Sequence, residues 1–179
     1  MKKTFIVCLL LIAYCLLFIP SVLADYVLPY PSYMPGNKLY RVIRIVDQLK
    51  RYWYWGNIAQ LKYHMGLSDK YLVEAKTLME YNQYLLAADA LIRSDNEFMQ
   101  LTKYVGGAKN EHVDVTHYKE LVSGAAQKHT QVLSSLMLLV PKEFTWTPEK
   151  AKATDLKLQD MLNASVTVRS STAKDVMSL

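Results

Sequence analysis

From residue 39 onward the apolar residues of this chain recur at steps of three and four, and that spacing constrains the fold more than any other feature. It gathers apolar side chains on one face of an α-helix, whereas a half-buried strand needs alternation. Leu39, Val42, Ile43, Val46, Leu49 and Trp53 make a first seam, with Arg41, Arg44, Asp47, Gln48 and Arg51 on the opposite side. After Gly56-Asn57, a second seam runs through Ile58, Leu61, Met65, Leu72, Ala75 and Met79, with Ser68 filling one of its steps. Gly66 weakens the middle of that helix by about 1 kcal/mol relative to Ala. Asn82-Gln83 reads as a short turn into a third stripe, Tyr84, Ala87, Leu91, Phe98, Leu101 and Val105, which Gly106-Gly107 is predicted to stop. Asp114 is placed to cap a fourth helix carrying Val115, Tyr118, Val122, Ala125, Val132, Leu136 and Leu139, ended by Pro141. Thr147-Pro148-Glu149 has the chemistry of a fifth helix start, leading to Ala151, Leu158, Met161 and Leu162. Residues 165–179 are small, polar and weakly patterned, and are predicted to fray. The expectation is an all-α bundle of about five helices over residues 38–164, followed by a polar tail.

The first 24 residues, MKKTFIVCLLLIAYCLLFIPSVLA, place two lysines ahead of an apolar run and end in a small-residue site. This is the pattern of a secretory signal peptide, with cleavage expected after Ala24. Retention as a membrane anchor is the alternative. Cys8 and Cys15, the two cysteines of the sequence, both fall in the leader, so a cleaved chain forms neither disulfide nor thiolate metal site. Taking 24 residues from 179 leaves a chain long enough for one domain, burying about 70% of its unfolded surface. Two of the 21 Lys and Arg residues go with the leader, and against 16 acids the remainder carries a mild +3. With no basic cluster interleaved with aromatics, nucleic acid is excluded as the expected partner.

Residues 25–37 form an arm rich in proline and tyrosine. Pro29, Pro31 and Pro35 hold the backbone near polyproline II, while Tyr26, Tyr30, Tyr33 and Met34 supply packing area. Leu28, Tyr30 and Pro31 are expected to pack on the helices, and a partner-binding role for Tyr30 and Pro31 is the alternative. The stretch LPYPSYMPGNKLY resembles the opening motif, LPYPGLLPDSPLY-like, of an uncharacterised family of exported bacterial helical domains. SDKYLVEAKTLMEYNQYLLAADAL and KHTQVLSSLMLLVP are similar to that family's middle and later helices. Ser32 and Lys38 depart from its usual glycine and proline. The resemblance implies fold and export but no chemistry, since the family has no known function.

Four histidines are available. His129 sits on the fourth seam between Ala125 and Val132, where a buried, hydrogen-bonded imidazole is expected. His112, Asp114, His117 and Glu120 are the densest candidate metal ligands, but His112 and His117 miss the spacing that aligns two imidazoles on a helix. No Glu-x-x-His partner exists for Asp114 and His117, so no metal and no cofactor is expected. There is no nucleophile motif, and Glu80, Asp89, Asp95 and Glu97 read as solvated helical faces. Asn163-Ala164-Ser165 fits a glycosylation acceptor, a weak pattern. Lys38, Arg41, Arg44, Lys50 and Arg51, opposed only by Asp47, form a basic face on the first helix. Arg41, Arg44 and Arg51 are therefore candidate contacts to an envelope partner or membrane surface, with a plain solvated face as the competing reading. The expected function is a non-enzymatic exported module that binds or forms part of an envelope assembly. A leader-tethered sensor comes second and a metal-dependent hydrolase third.

Overall fold

The computed structural model describes residues 26–150 and 152–179, so the predicted leader and its cleavage site lie outside the described residues. The described chain forms α1 (Tyr40–Lys50), α2 (Asn57–Glu80), α3 (Tyr84–Asn110), α4 (Thr116–Leu139), the strands β1 (Phe144–Trp146) and β2 (Thr154–Leu156), and α5 (Leu158–Ser178). The expected all-α bundle is the fold. Its body is a four-helix bundle in which α2 packs along α3, α3 along α5, α5 along α4 and α4 along α2. One end of the core joins Leu72, Leu78 and Met79 of α2 to Tyr84 and Leu91 of α3, Leu133 and Leu136 of α4, and Leu158 and Leu162 of α5. The other end joins Leu61 and Met65 to Phe98, Leu101, Val105, Val122, Ala125 and Val176. Successive helices therefore run antiparallel.

Five local expectations are corrected. α3 does not stop at Gly106-Gly107 but continues to Asn110, and the chain breaks at His112, whose φ is +59°. Gly107 serves close approach instead: a Cβ there would lie 2.5 Å from the Asn57 side-chain oxygen at the start of α2. Residues 147–149 do not start a helix; they lie between β1 and β2, an antiparallel ribbon pairing Phe144 with Leu156. Phe144 sets its edge against Tyr84 at 4.9 Å, and both Phe144 and Leu156 cover the core, which supplies the ribbon's reason to form. The polar tail is the last two-thirds of α5. Leu158, Leu162, Ser165, Arg169, Thr172 and Val176 are buried at steps of four and three, so the heptad pattern persists through polar side chains.

The arm docks through Leu28 as expected, but through Tyr26 and Met34 in place of Tyr30 and Pro31. The Tyr26 hydroxyl donates to Asp69 Oδ2 at 2.6 Å, and half-buried Leu28 and Met34 pack against the core. Tyr30 is 95% exposed and Pro31 is exposed, so the chain stands off the bundle between its two anchors. The fifth correction is α1 itself, which sets Asp47 and Tyr40 rather than most of its apolar seam against α2 and α3.

Candidate functional site

The two apolar ends of the core are separated by a polar layer to which every helix of the bundle body contributes. Ser68 and Asp69 come from α2, Ser94 and Asp95 from α3, His129 from α4, and Ser165 and Arg169 from α5. His129 Nε2 lies 2.8 Å from Asp69 Oδ1, and Arg169 Nε donates toward His129 Nδ1 at 3.4 Å. Because Arg169 can only donate, Nδ1 accepts and the imidazole proton sits on Nε2, facing Asp69. Burial pulls the His129 pKa below its ordinary value against the opposing pull of Asp69, so the ring is neutral. Arg169 Nη1 pairs with Asp95 Oδ1, and Nη2 donates to Ser94 Oγ at 2.7 Å. Ser94 Oγ donates on to the Ser68 carbonyl at 2.7 Å, and Ser68 Oγ returns a bond to the Ser94 carbonyl at 2.9 Å. The Arg169 guanidinium also stacks over Phe98, 5.1 Å from the ring centre.

This Tyr26-Asp69-His129-Arg169-Asp95 chain has acid, base and cation, yet it is built as a joint buried at its centre, with the Asp95 side chain at one end 17% exposed. His129 and Arg169 have no exposure, and Tyr26 closes the Asp69 side. Burial, then the adjacent Asp69 charge, raises the Tyr26 pKa well above the ordinary tyrosine value, which keeps the hydroxyl a donor. All the polar groups are matched to partners within the layer, which is the arrangement that fixes helix register.

The unmatched surface is α1. Its single buried residue is Asp47, 6% exposed, which pairs with Lys70 on α2 and with Lys50 at 3.4 Å. The Tyr63 hydroxyl donates to the Asp47 carbonyl at 2.7 Å, and the Tyr40 hydroxyl donates to Glu74 Oε1 at 2.6 Å. Arg93 reaches the same Glu74 oxygen at 2.9 Å. Burial, then the Glu74 hydrogen bond, pushes the Tyr40 pKa up to about 12, so it too remains a donor. Of the seam predicted to be buried, Ile43 is half-buried, whereas Leu39, Val42, Val46, Leu49 and Trp53 are exposed, with Ile45 and Tyr52 beside them. Trp53 is 78% and Trp55 84% exposed. The physical reason for the inversion is the floor on which α1 lies, where Glu74, Lys70, Arg93 and the tyrosine hydroxyls offer partners to Asp47 and Tyr40 and little apolar area to leucines.

Beside α1 opens a cleft of about 600 Å³ whose rim includes Ile45, Leu49 and Tyr52 and whose polar lining includes Arg44, His64 and Glu97, so the C-terminal part of the exposed seam borders this cleft while Val42 and Val46 do not. His64 Nδ1 lies 2.5 Å from Glu97 Oε2, and its ring stacks on Tyr104 at 4.9 Å. Its buried Nε2 has no partner among the described residues.

Of the residues singled out from sequence, Arg41 and Arg51 are exposed, Arg44 is half-buried with its guanidinium 5.9 Å from the Tyr40 ring centre, and all three belong to the α1 region. Tyr30 and Pro31 are exposed on the arm. His112, Asp114 and His117 are exposed and do not converge: Asp114 Oδ1 accepts from the Thr116 backbone and hydroxyl, which holds its carboxyl below the usual range. Among the described residues no three His, Cys, Asp or Glu side chains are grouped to hold a metal ion. Asn163 is exposed on α5. Asp95, read as solvated, is instead tied into the buried layer, and Arg169 escaped sequence reasoning altogether. Compared with known proteins, the chain matches no family model, no curated protein and no solved structure.

Proposed function

We propose that the protein is a non-catalytic binding module of the cell envelope, in which a rigid helical body holds α1 with its apolar face turned toward a partner. One observation carries this reading: the acid Asp47 is buried while Leu39, Val42, Val46, Leu49 and Trp53 of the apolar seam are exposed. Large exposed apolar patches are rare on free-standing proteins and mark contact surfaces. The burial of His129 and Asp69 at the centre of the polar layer supports a structural rather than catalytic use of them. Export rests on the leader, and the likeness of LPYPSYMPGNKLY to the opening motif of exported helical domains belongs to the same proposal.

The test is fractionation of the producing cell. Unmodified protein is expected with the envelope, and a Val46→Ser/Leu49→Ser variant in the soluble extracytoplasmic fraction, with unchanged circular dichroism. Identical distribution of the two would overturn α1 as the working face. N-terminal sequencing is expected to find Asp25; retained Met1 would favour the tethered sensor.

A further inference from the structure

The partner chemistry is written in what surrounds the apolar seam. Lys38 and Arg41 border it and Arg44 and Arg51 lie behind it, while Asp47, the only acid of α1, is turned inward onto Lys70 and holds Lys50 at 3.4 Å. No carboxylate of α1 faces the side that the seam faces. The seam ends in Tyr52, Trp53, Tyr54 and Trp55, with the Trp55 indole N–H bound to the Tyr52 carbonyl at 2.7 Å. Apolar stripe, cationic border and clustered aromatics are together the composition of a helix that lies in the headgroup region of a bilayer.

We infer that α1 docks on an anionic lipid surface, its apolar seam among the upper acyl chains and its Lys and Arg side chains on lipid phosphates. This rests on the reading of α1 as the working face and names its partner. A second copy of the chain fits the same surface poorly. A twofold contact sets one patch against itself, which would bring Lys38 and Arg41 of both copies together with no acid of α1 on that face to separate them. A bilayer meets the same cations with phosphates.

The full chain carrying Trp146→Phe leaves Trp53 and Trp55 as its only tryptophans, since the sequence has three. Added to vesicles of phosphatidylcholine with phosphatidylglycerol, it is expected to shift its emission to the blue and to be quenched by bromine placed on the upper acyl carbons. Vesicles of phosphatidylcholine alone, or high salt, should weaken the response at least tenfold in lipid concentration. Val46→Ser/Leu49→Ser should abolish the response without changing circular dichroism, even where the leader holds the chain on the vesicle. Unquenched tryptophans on both vesicles would overturn the inference. If that result came with self-association that the same double variant removes, the lipid partner would fail and the binding face would stand. Unquenched tryptophans and no association of any kind would sink both.

Discussion

Replacing Arg169 by Met should be among the most damaging single changes in the protein. The side chain is fully buried and ties three helices together through Asp95, Ser94 and His129. Arg169→Met leaves the Asp95 carboxylate with Ser165 and leaves His129 Nδ1 without a donor. Breaking a buried ion pair by removing one partner costs about 3–5 kcal/mol. The Asp95 side chain keeps 17% exposure, so water recovers part of that and the lower end, about 3 kcal/mol, applies. The unpaired imidazole nitrogen adds about 1 kcal/mol. Urea denaturation followed by far-UV circular dichroism measures the loss, and a cycle with Asp95→Leu isolates the pair. The double variant should be more stable than Arg169→Met alone, because no orphaned carboxylate remains. A single-variant loss under about 1 kcal/mol, or simple additivity of the two changes, would refute the view that this pair is a matched buried unit.

Other consequences are open to the same assay. The folded state holds His129 below its ordinary pKa, so the unfolded chain binds that proton first. Stability is then complete above about pH 6.5 and falls as pH drops toward the depressed value; His129→Gln should flatten that part of a stability–pH curve. Tyr26→Phe removes a donor from Asp69 and should cost about 1–2 kcal/mol, whereas Tyr30→Ala should change stability by less than about 0.5 kcal/mol. Gly66→Ala should stabilise by about 0.5–1 kcal/mol, since nothing lies within 4 Å of the new Cβ and α2 continues through the position.

How much of this was legible depends on what each residue had to reveal. The heptad steps of α2, α3 and α4 are written in apolar side chains, and Ser68 and His129 stood out as polar residues on those seams. α5 repeats the same steps with Ser165, Arg169 and Thr172, and a search for apolar periodicity passes over them. Asp95 looked solvated because its partner lies 74 residues away, beyond any local pattern. For α1 the period was right and the direction wrong: spacing identifies an apolar face, but only the floor formed by Lys70, Glu74 and Arg93 determines which face turns inward. The arm was readable as a docked segment, yet Tyr26 rather than Tyr30 carries it because only Tyr26 finds a buried acceptor, Asp69.

The outward turn of the α1 seam is the claim on which the rest depends, and thiol labelling reads it directly. With Cys8 and Cys15 changed to Ser the chain has no thiol, so one introduced cysteine reports one position. Val46→Cys and Leu49→Cys should react with a maleimide about as fast as Tyr30→Cys, and far faster than Leu72→Cys in the core. Protection of Val46→Cys and Leu49→Cys to the level of Leu72→Cys would mean that the apolar seam faces the bundle, and the α1 binding face would not exist.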